Sequence, residues 1–258
     1  MLLAIDIGNS NIGVGVFSRG ELTASFRLRT EVSRTPDEYE ATMLSIGRAR
    51  GVNFADAEHA VMSTVVPEMA ASFVAIVERL TGTRPLLVRP DLDLGLEFEV
   101  GNPSEVGTDL LANAVAGYRH AQKSCLMVDF GTAISITSVA EGGVFRGVSI
   151  APGLETAMKA LTSQTAQLPH VSLTAPERAI GTNTTTAIQS GVVLGYASLV
   201  DGLLERMSKE LPGEVRAIAT GGLVETMRGV SRRIDSYVPA LTLEGLQLIA
   251  HRVLGIEA

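Results

Sequence analysis

Three aspartates and three glycine turns are the residues of this sequence whose types and spacing point to chemistry. Asp6 closes an apolar run and opens Asp6-Ile7-Gly8-Asn9-Ser10-Asn11-Ile12-Gly13. Asp129 closes a second apolar run and opens Asp129-Phe130-Gly131-Thr132-Ala133. A glycine two places after each aspartate permits a tight turn and leaves no side chain to block a ligand. The N–H groups of such a turn, with the hydroxyl of Ser10 or Thr132, form a cradle for phosphate oxygens. Asp6 and Asp129 can hold hydrated Mg²⁺ or a monovalent cation beside those phosphates. Thr220-Gly221-Gly222 is a third turn behind an apolar strand, open to a flat ligand such as an adenine ring. Asp109, in Gly107-Thr108-Asp109, starts a helical stretch, where the helix dipole stabilises an acid. The same carboxylate can accept a proton, and Asn113, one turn on, is placed to orient it.

One Asp-x-Gly turn is a common structural device. Two of them 123 positions apart in a chain of 258 residues are an internal repeat. Each continues into a second β-rich run (Ile12 to Phe17, Ile134 to Val139) and a turn (Arg19-Gly20, Glu141-Gly142-Gly143). A third run follows in each, Leu22 to Leu28 and Val144 to Ser149. Helices come next in the first half. Thr35-Pro36-Asp37-Glu38 supplies a cap, an N1 proline and first-turn acids for a helix to about Arg48. Ala60 to Val65 reads as a strand, and Pro67 starts a helix with Met69, Phe73, Ile76 and Leu80 on one face. Helical spacing recurs over Val106 to Ala121, Thr184 to Ser208 and Leu241 to Val253, with a strand at Val215 to Ala219. This order predicts an α/β protein of two related domains, residues 1–115 and 116–258, around a central nucleotide cleft. Two phosphate loops with an adenosine loop are the constellation of duplicated actin-like (ribonuclease H-like) phosphotransferases.

Composition narrows the partners. Hydrophobic residues are 46% and charged residues 19%, outside the range of disordered chains and coiled coils. The net charge of −7 argues against nucleic acid or an anionic membrane as partner. Cys125 is the only cysteine, so no intrachain disulfide forms and a reducing, cytoplasmic setting is expected. No uninterrupted apolar stretch reaches membrane length. The histidines, His59, His120, His170 and His251, are too scattered to suggest a metal site, although His170 follows Leu168-Pro169.

Taken with further short motifs, the chain resembles the type III pantothenate kinases nearly end to end. The motifs are the Asp6 and Asp129 loops, Asn102-Pro103, Gly107-Thr108-Asp109, Ile150-Ala151-Pro152-Gly153-Leu154 and Leu168-Pro169. Gly181-x-Asn183-Thr184, Gln189-Ser190-Gly191, Thr220-Gly221-Gly222 and Leu243-Glu244-Gly245-Leu246 complete the set. The resemblance implies ATP-dependent phosphorylation of pantothenate, the first step of coenzyme A synthesis, with ATP, Mg²⁺ and K⁺ or NH₄⁺ as cofactors. It implies that Asp6 through Gly13 bind ATP phosphates, with Thr132 a second ATP contact and Asp129 a cation ligand. It further implies that Asp109 takes the proton of the pantothenate hydroxyl. Gly107, Thr108, Asp109, Leu110 and Thr184 then fall on substrate-contact positions. A homodimer is implied too, the partner subunit completing the pocket.

Four positions depart from the family pattern. Leu110 stands where the family has arginine after Gly-x-Asp, and Val100 stands where Tyr-x-Asn-Pro has tyrosine. Thr182 replaces a usual lysine, and Val148 a common second glycine. Losing one charge-assisted hydrogen bond costs about 1.5–3 kcal/mol, so the substrate grip is altered while the phosphate loops and base remain. Three readings follow. The chain is a pantothenate kinase with a re-formed pocket using Arg119 or Arg146, a kinase for another small hydroxylated acceptor, or a non-catalytic nucleotide-binding regulator.

Overall fold

The computed structural model describes residues 1–163, 168–169 and 171–256. In chain order the elements are β1 (Leu2–Ile7), β2 (Asn11–Ser18), β3 (Glu21–Arg29), α1 (Pro36–Ala49), β4 (His59–Thr64), α2 (Pro67–Thr81), β5 (Leu86–Leu87) and β6 (Glu97–Phe98). Next come α3 (Thr108–Ala121), β7 (Cys125–Phe130), β8 (Ala133–Ala140), β9 (Val144–Pro152), α4 (Leu154–Ser163), α5 (Thr184–Gln189) and α6 (Gly195–Ser208). The chain closes with β10 (Arg216–Thr220), α7 (Val224–Met227), β11 (Ser236–Tyr237) and α8 (Leu241–Leu254). It divides into two compact units. One holds residues 1–96, 101–116 and the segment from Leu241; the other holds 97–100 and 117–240. The boundary within α3 falls after Ala116, and α8 joins the first unit rather than the half that follows residue 116.

The first unit has a sheet of order β3-β2-β1-β4-β5, with β1 antiparallel to β2 and parallel to β4. Strand alternation sends Leu3, Ile5 and Ile7 into a core with Tyr39 and Met43 of α1 and Phe73 and Ile76 of α2. Ala4 and Asp6 take the opposite face. Thr35 caps α1 in a complete capping box with Glu38. α8 lies against β1, β2 and β4. Its approach to α3 depends on Gly245, where a Cβ would sit 2.0 Å from the Ala112 carbonyl oxygen.

The second unit repeats the plan. Its sheet runs β11-β10-β7-β8-β9-β6, with β7 antiparallel to β8 and parallel to β10. The three leading strands have 6, 8 and 9 residues in both units. Both hairpins turn through two positive-φ residues, Arg19-Gly20 and Gly142-Gly143. Both also carry a register shift after the sixth residue of the middle strand, at Val16/Phe17 and Ser138/Val139. A shared irregularity at the same place is hard to obtain except by repetition of one plan. The core gathers Leu126, Val128 and Phe130 of β7 with Ile188, Val193, Val200 and Leu204 of the long helical run.

That run, Thr184–Ser208, spans 25 residues at a mean hydropathy of 1.4, long and apolar enough to cross a membrane by length and composition. Ile188, Val192, Val193, Ala197, Val200 and Leu204 of this run belong to the second unit's core, while Leu199 is exposed. A π turn at Ser190–Leu194 interrupts it.

Candidate active site

In the first unit, β1 delivers Asp6 to the start of the Gly8–Asn11 turn. The turn is closed by Gly8 N–H donating to the Asn11 carbonyl at 3.0 Å. Thr30 holds it from below, its hydroxyl donating to Gly8 O at 2.7 Å and its N–H to Ser10 O at 3.0 Å. Asn9, Ser10 and Asn11 are exposed, whereas the Ile7 and Ile12 side chains are fully buried. Ile7 and Ile12 therefore have only backbone to offer a ligand. Gly13, opposite Asp6 in the ladder, leaves space beside the carboxylate. Ser63 of β4, buried at 1% exposure, donates to Asp6 Oδ1 at 2.5 Å. Ser63 lay inside Ala60 to Val65, read from sequence only as a strand; the two hydroxyls of Ser63-Thr64 at its end were the available signal.

Asp109 sits in the first turn of α3. Thr108 anchors that turn: its hydroxyl accepts from Thr64 N–H at 3.0 Å and donates to Thr64 O at 3.1 Å. Leu110 N–H donates to Asp109 Oδ1 at 2.8 Å. Burial raises the Asp109 carboxyl above the usual carboxylate range, against the lowering effect of that backbone N–H. A Cβ on Gly107 would sit 2.5 Å from Asp109 Oδ1 and push that carboxylate aside. Leu110 packs beside Gly107. The amide oxygen of Asn113 accepts from Thr242 of α8 at 2.8 Å, so this residue ties α3 to α8.

In the second unit, β7 delivers Asp129 beside Thr220, its register partner in β10. Gly221 has φ of 103°, and a Cβ there would lie 2.4 Å from Asp129 Oδ1 and 2.6 Å from Phe130 N. The third glycine turn is thus pressed against the second loop, and any side chain would fill the space around Asp129. Gly222 is exposed at the rim. The Thr132 carbonyl accepts from Gly153 N–H at 3.0 Å and from the Thr156 hydroxyl at 2.7 Å. The start of α4 therefore braces the Gly131-Thr132 turn, which explains the Pro152-Gly153-Leu154 motif. Leu154, Met158 and Leu161, at i, i+4 and i+7, turn the buried face of this helix to the second unit's core.

Thr184 lies elsewhere in this unit, on a cavity of about 790 Å³. Gly181, Thr182, Asn183, Ile188 and Val192 line it, with Ala157 and Leu161 of α4. Asn183 and Thr186 form a capping box at its edge, and Gln189 ties the helix to Ser172 O and Thr174 Oγ1. His170 lies outside the described residues. Arg146, one candidate grip, is paired with Glu99 at 2.7 Å, and Arg119 is exposed in the last turn of α3.

Among the described residues no group of three His, Cys, Asp or Glu side chains converges on a metal. One carboxylate per loop suits Mg²⁺ that keeps its waters and takes further ligands from phosphate. A Cβ on Gly221 would crowd Asp129 Oδ1 and the Phe130 backbone, so glycine keeps the surroundings of this carboxylate clear. Of the histidines, His251 is held below its usual range by burial and by nearby His59.

The order β3-β2-β1-β4-β5 recurs in the second sheet as β9-β8-β7-β10-β11, with β6 added beyond β9, and β1 and β7 each run into an Asp-x-Gly turn; this is the actin-like fold. Component A of the (R)-2-hydroxyglutaryl-CoA dehydratase of Acidaminococcus fermentans has this fold, with a TM-score of 0.56 at 14% identity over 98% of this chain and 97% of that one. Residues 2–206 match the family model described as type III pantothenate kinase. Type III pantothenate kinase of Solibacter usitatus is 39% identical over 252 residues, 98% of this chain and 97% of that protein. That of Thermomicrobium roseum is 40% identical over 258 residues, 99% and 100% of the two chains. The chain belongs to the type III pantothenate kinase family.

Proposed function

We propose that the protein transfers the γ-phosphoryl group of ATP to the hydroxyl of pantothenate, giving 4'-phosphopantothenate and ADP. Asp109 accepts the hydroxyl proton as the new O–P bond forms and the bond to the ADP oxygen breaks. The Gly8–Asn11 turn and Ser10 hold ATP phosphates, Thr132 adds a second contact, and Gly221-Gly222 receive the adenosine. Asp6 and Asp129 hold cations: bound Mg²⁺ and a monovalent ion (K⁺ or NH₄⁺) neutralise charge on the transferred group. Gly107, Thr108, Leu110 and Thr184 contact pantothenate. The enzyme works as a soluble cytoplasmic homodimer, which sedimentation at twice the 27.1 kDa chain mass would support.

The observation that carries this reading is Asp109. Its helix start is fixed by the Thr108–Thr64 clamp, and burial raises its proton affinity, as a base for an alcohol requires. Asp109→Asn is the test. Turnover should fall about 10²–10⁴-fold while a non-hydrolysable ATP analogue still binds. Unchanged turnover would remove Asp109 from the role. A second reading, a different hydroxylated acceptor, draws on Leu110, an apolar side chain where the family has a cation.

A further inference from the structure

The C-terminal end of β4 touches two parts of the first unit at once. Ser63 is 1% exposed and lies between Met62 and Thr64 in a strand whose other central residues are apolar. A hydroxyl in such a place costs stability unless it is bonded. Its bond goes to Asp6 Oδ1 at 2.5 Å, across a parallel ladder that sets Asp6 and Ser63 opposite one another. The next residue, Thr64, exchanges two hydrogen bonds with the Thr108 hydroxyl, one residue before Asp109. Two successive β4 residues thus hold the carboxylate of the first phosphate loop and the start of the helix that carries the base.

We infer that Ser63 is a positioning residue for Asp6, holding its carboxylate in one rotamer for the Mg²⁺ that accompanies ATP. This rests on the reading of Asp6 as a cation-holding carboxylate. A hydroxyl bonded to one carboxylate oxygen restricts how the group turns, and partners of this kind set metal affinity through the ligand they orient. Ser63 itself touches neither nucleotide nor acceptor in this role.

The test is calorimetric binding of a non-hydrolysable ATP analogue to the full-length protein, with Mg²⁺ and with EDTA. Wild type, Ser63→Ala, Ser63→Thr and Asp6→Asn are compared, with thermal melts for each. Ser63→Ala should lose about tenfold of its affinity in Mg²⁺ and none in EDTA, with Ser63→Thr restoring most of the loss. Equal losses in both buffers would make Ser63 a structural residue only and overturn the inference. No loss in Ser63→Ala, alongside a large Mg²⁺-specific loss in Asp6→Asn, would overturn the inference and leave the reading of Asp6 standing. No Mg²⁺-specific loss in Asp6→Asn would overturn both.

Discussion

As the proposed base, Asp109 would combine the chemistry with a cost in stability. Its carboxyl is raised from the ordinary value of 3.8 by burial, so the folded chain binds this proton more tightly than the unfolded one. Stability from this residue is therefore greatest at acid pH and falls as pH rises through its folded pKa. Asp109→Asn removes the ionised group and should melt at or above the wild-type temperature at pH 7, even as turnover collapses. The difference should shrink toward about pH 4, near the unfolded value. A variant that melts well below wild type at pH 7 would mean the carboxylate is a structural anchor instead. Leu110 is the second residue to test. Leu110→Arg restores the family's cation and should lower KM for pantothenate about tenfold, the worth of one charge-assisted hydrogen bond, with kcat little changed. An unchanged KM would place the carboxylate grip at another residue.

Elements set these residues, and the α8–α3 contact is the most sensitive of them. A Cβ on Gly245 would enter the Ala112 backbone at 2.0 Å, a clash no rotamer relieves. Gly245→Ala, although it favours helix in isolation, should cost about 1–3 kcal/mol by overpacking, or about 3–10 °C in melting temperature. An increase in melting temperature would show that α8 can shift away from α3. The order of the strands, the Thr35 and Pro67 helix starts and the repeat were legible in sequence because each has a local signal, whereas strand ends such as Pro152 of β9 lay beyond the stretch read as Val144 to Ser149. The two-residue strands β5, β6 and β11 had none, being too short for any period. The α4 helix was read only as the Pro152-Gly153-Leu154 motif, although Leu154, Met158 and Leu161 recur at helical spacing and pack into the second core. The site divides in the same way. Asp6, Asp109 and Asp129 stand in recognisable turns, whereas Ser63 is visible only once β4 is laid beside β1. Asn113, expected to orient Asp109, also accepts from Thr242 through its amide oxygen and so ties α3 to α8.

For the whole molecule, the single cysteine is a built-in reporter. Cys125 opens β7, fully buried, and burial pushes its thiol up to about 12. It should ignore a thiol reagent in the folded protein and react at the rate of unfolding. Saturating Mg²⁺ and ATP analogue should slow that reaction, because a ligand bound only to the native state stabilises it. Rapid labelling of the folded protein would contradict the packing of the second sheet. Under the proposed function the net charge of −7 acquires a local meaning, since Asp6, Asp109 and Asp129 would need cations beside them to admit ATP. The most direct test of the central claim is ADP release measured with ATP, Mg²⁺ and pantothenate, in K⁺ and in Na⁺. ADP release that requires pantothenate and is faster in K⁺ is the predicted result; no pantothenate-dependent release, despite measurable nucleotide binding, would contradict it.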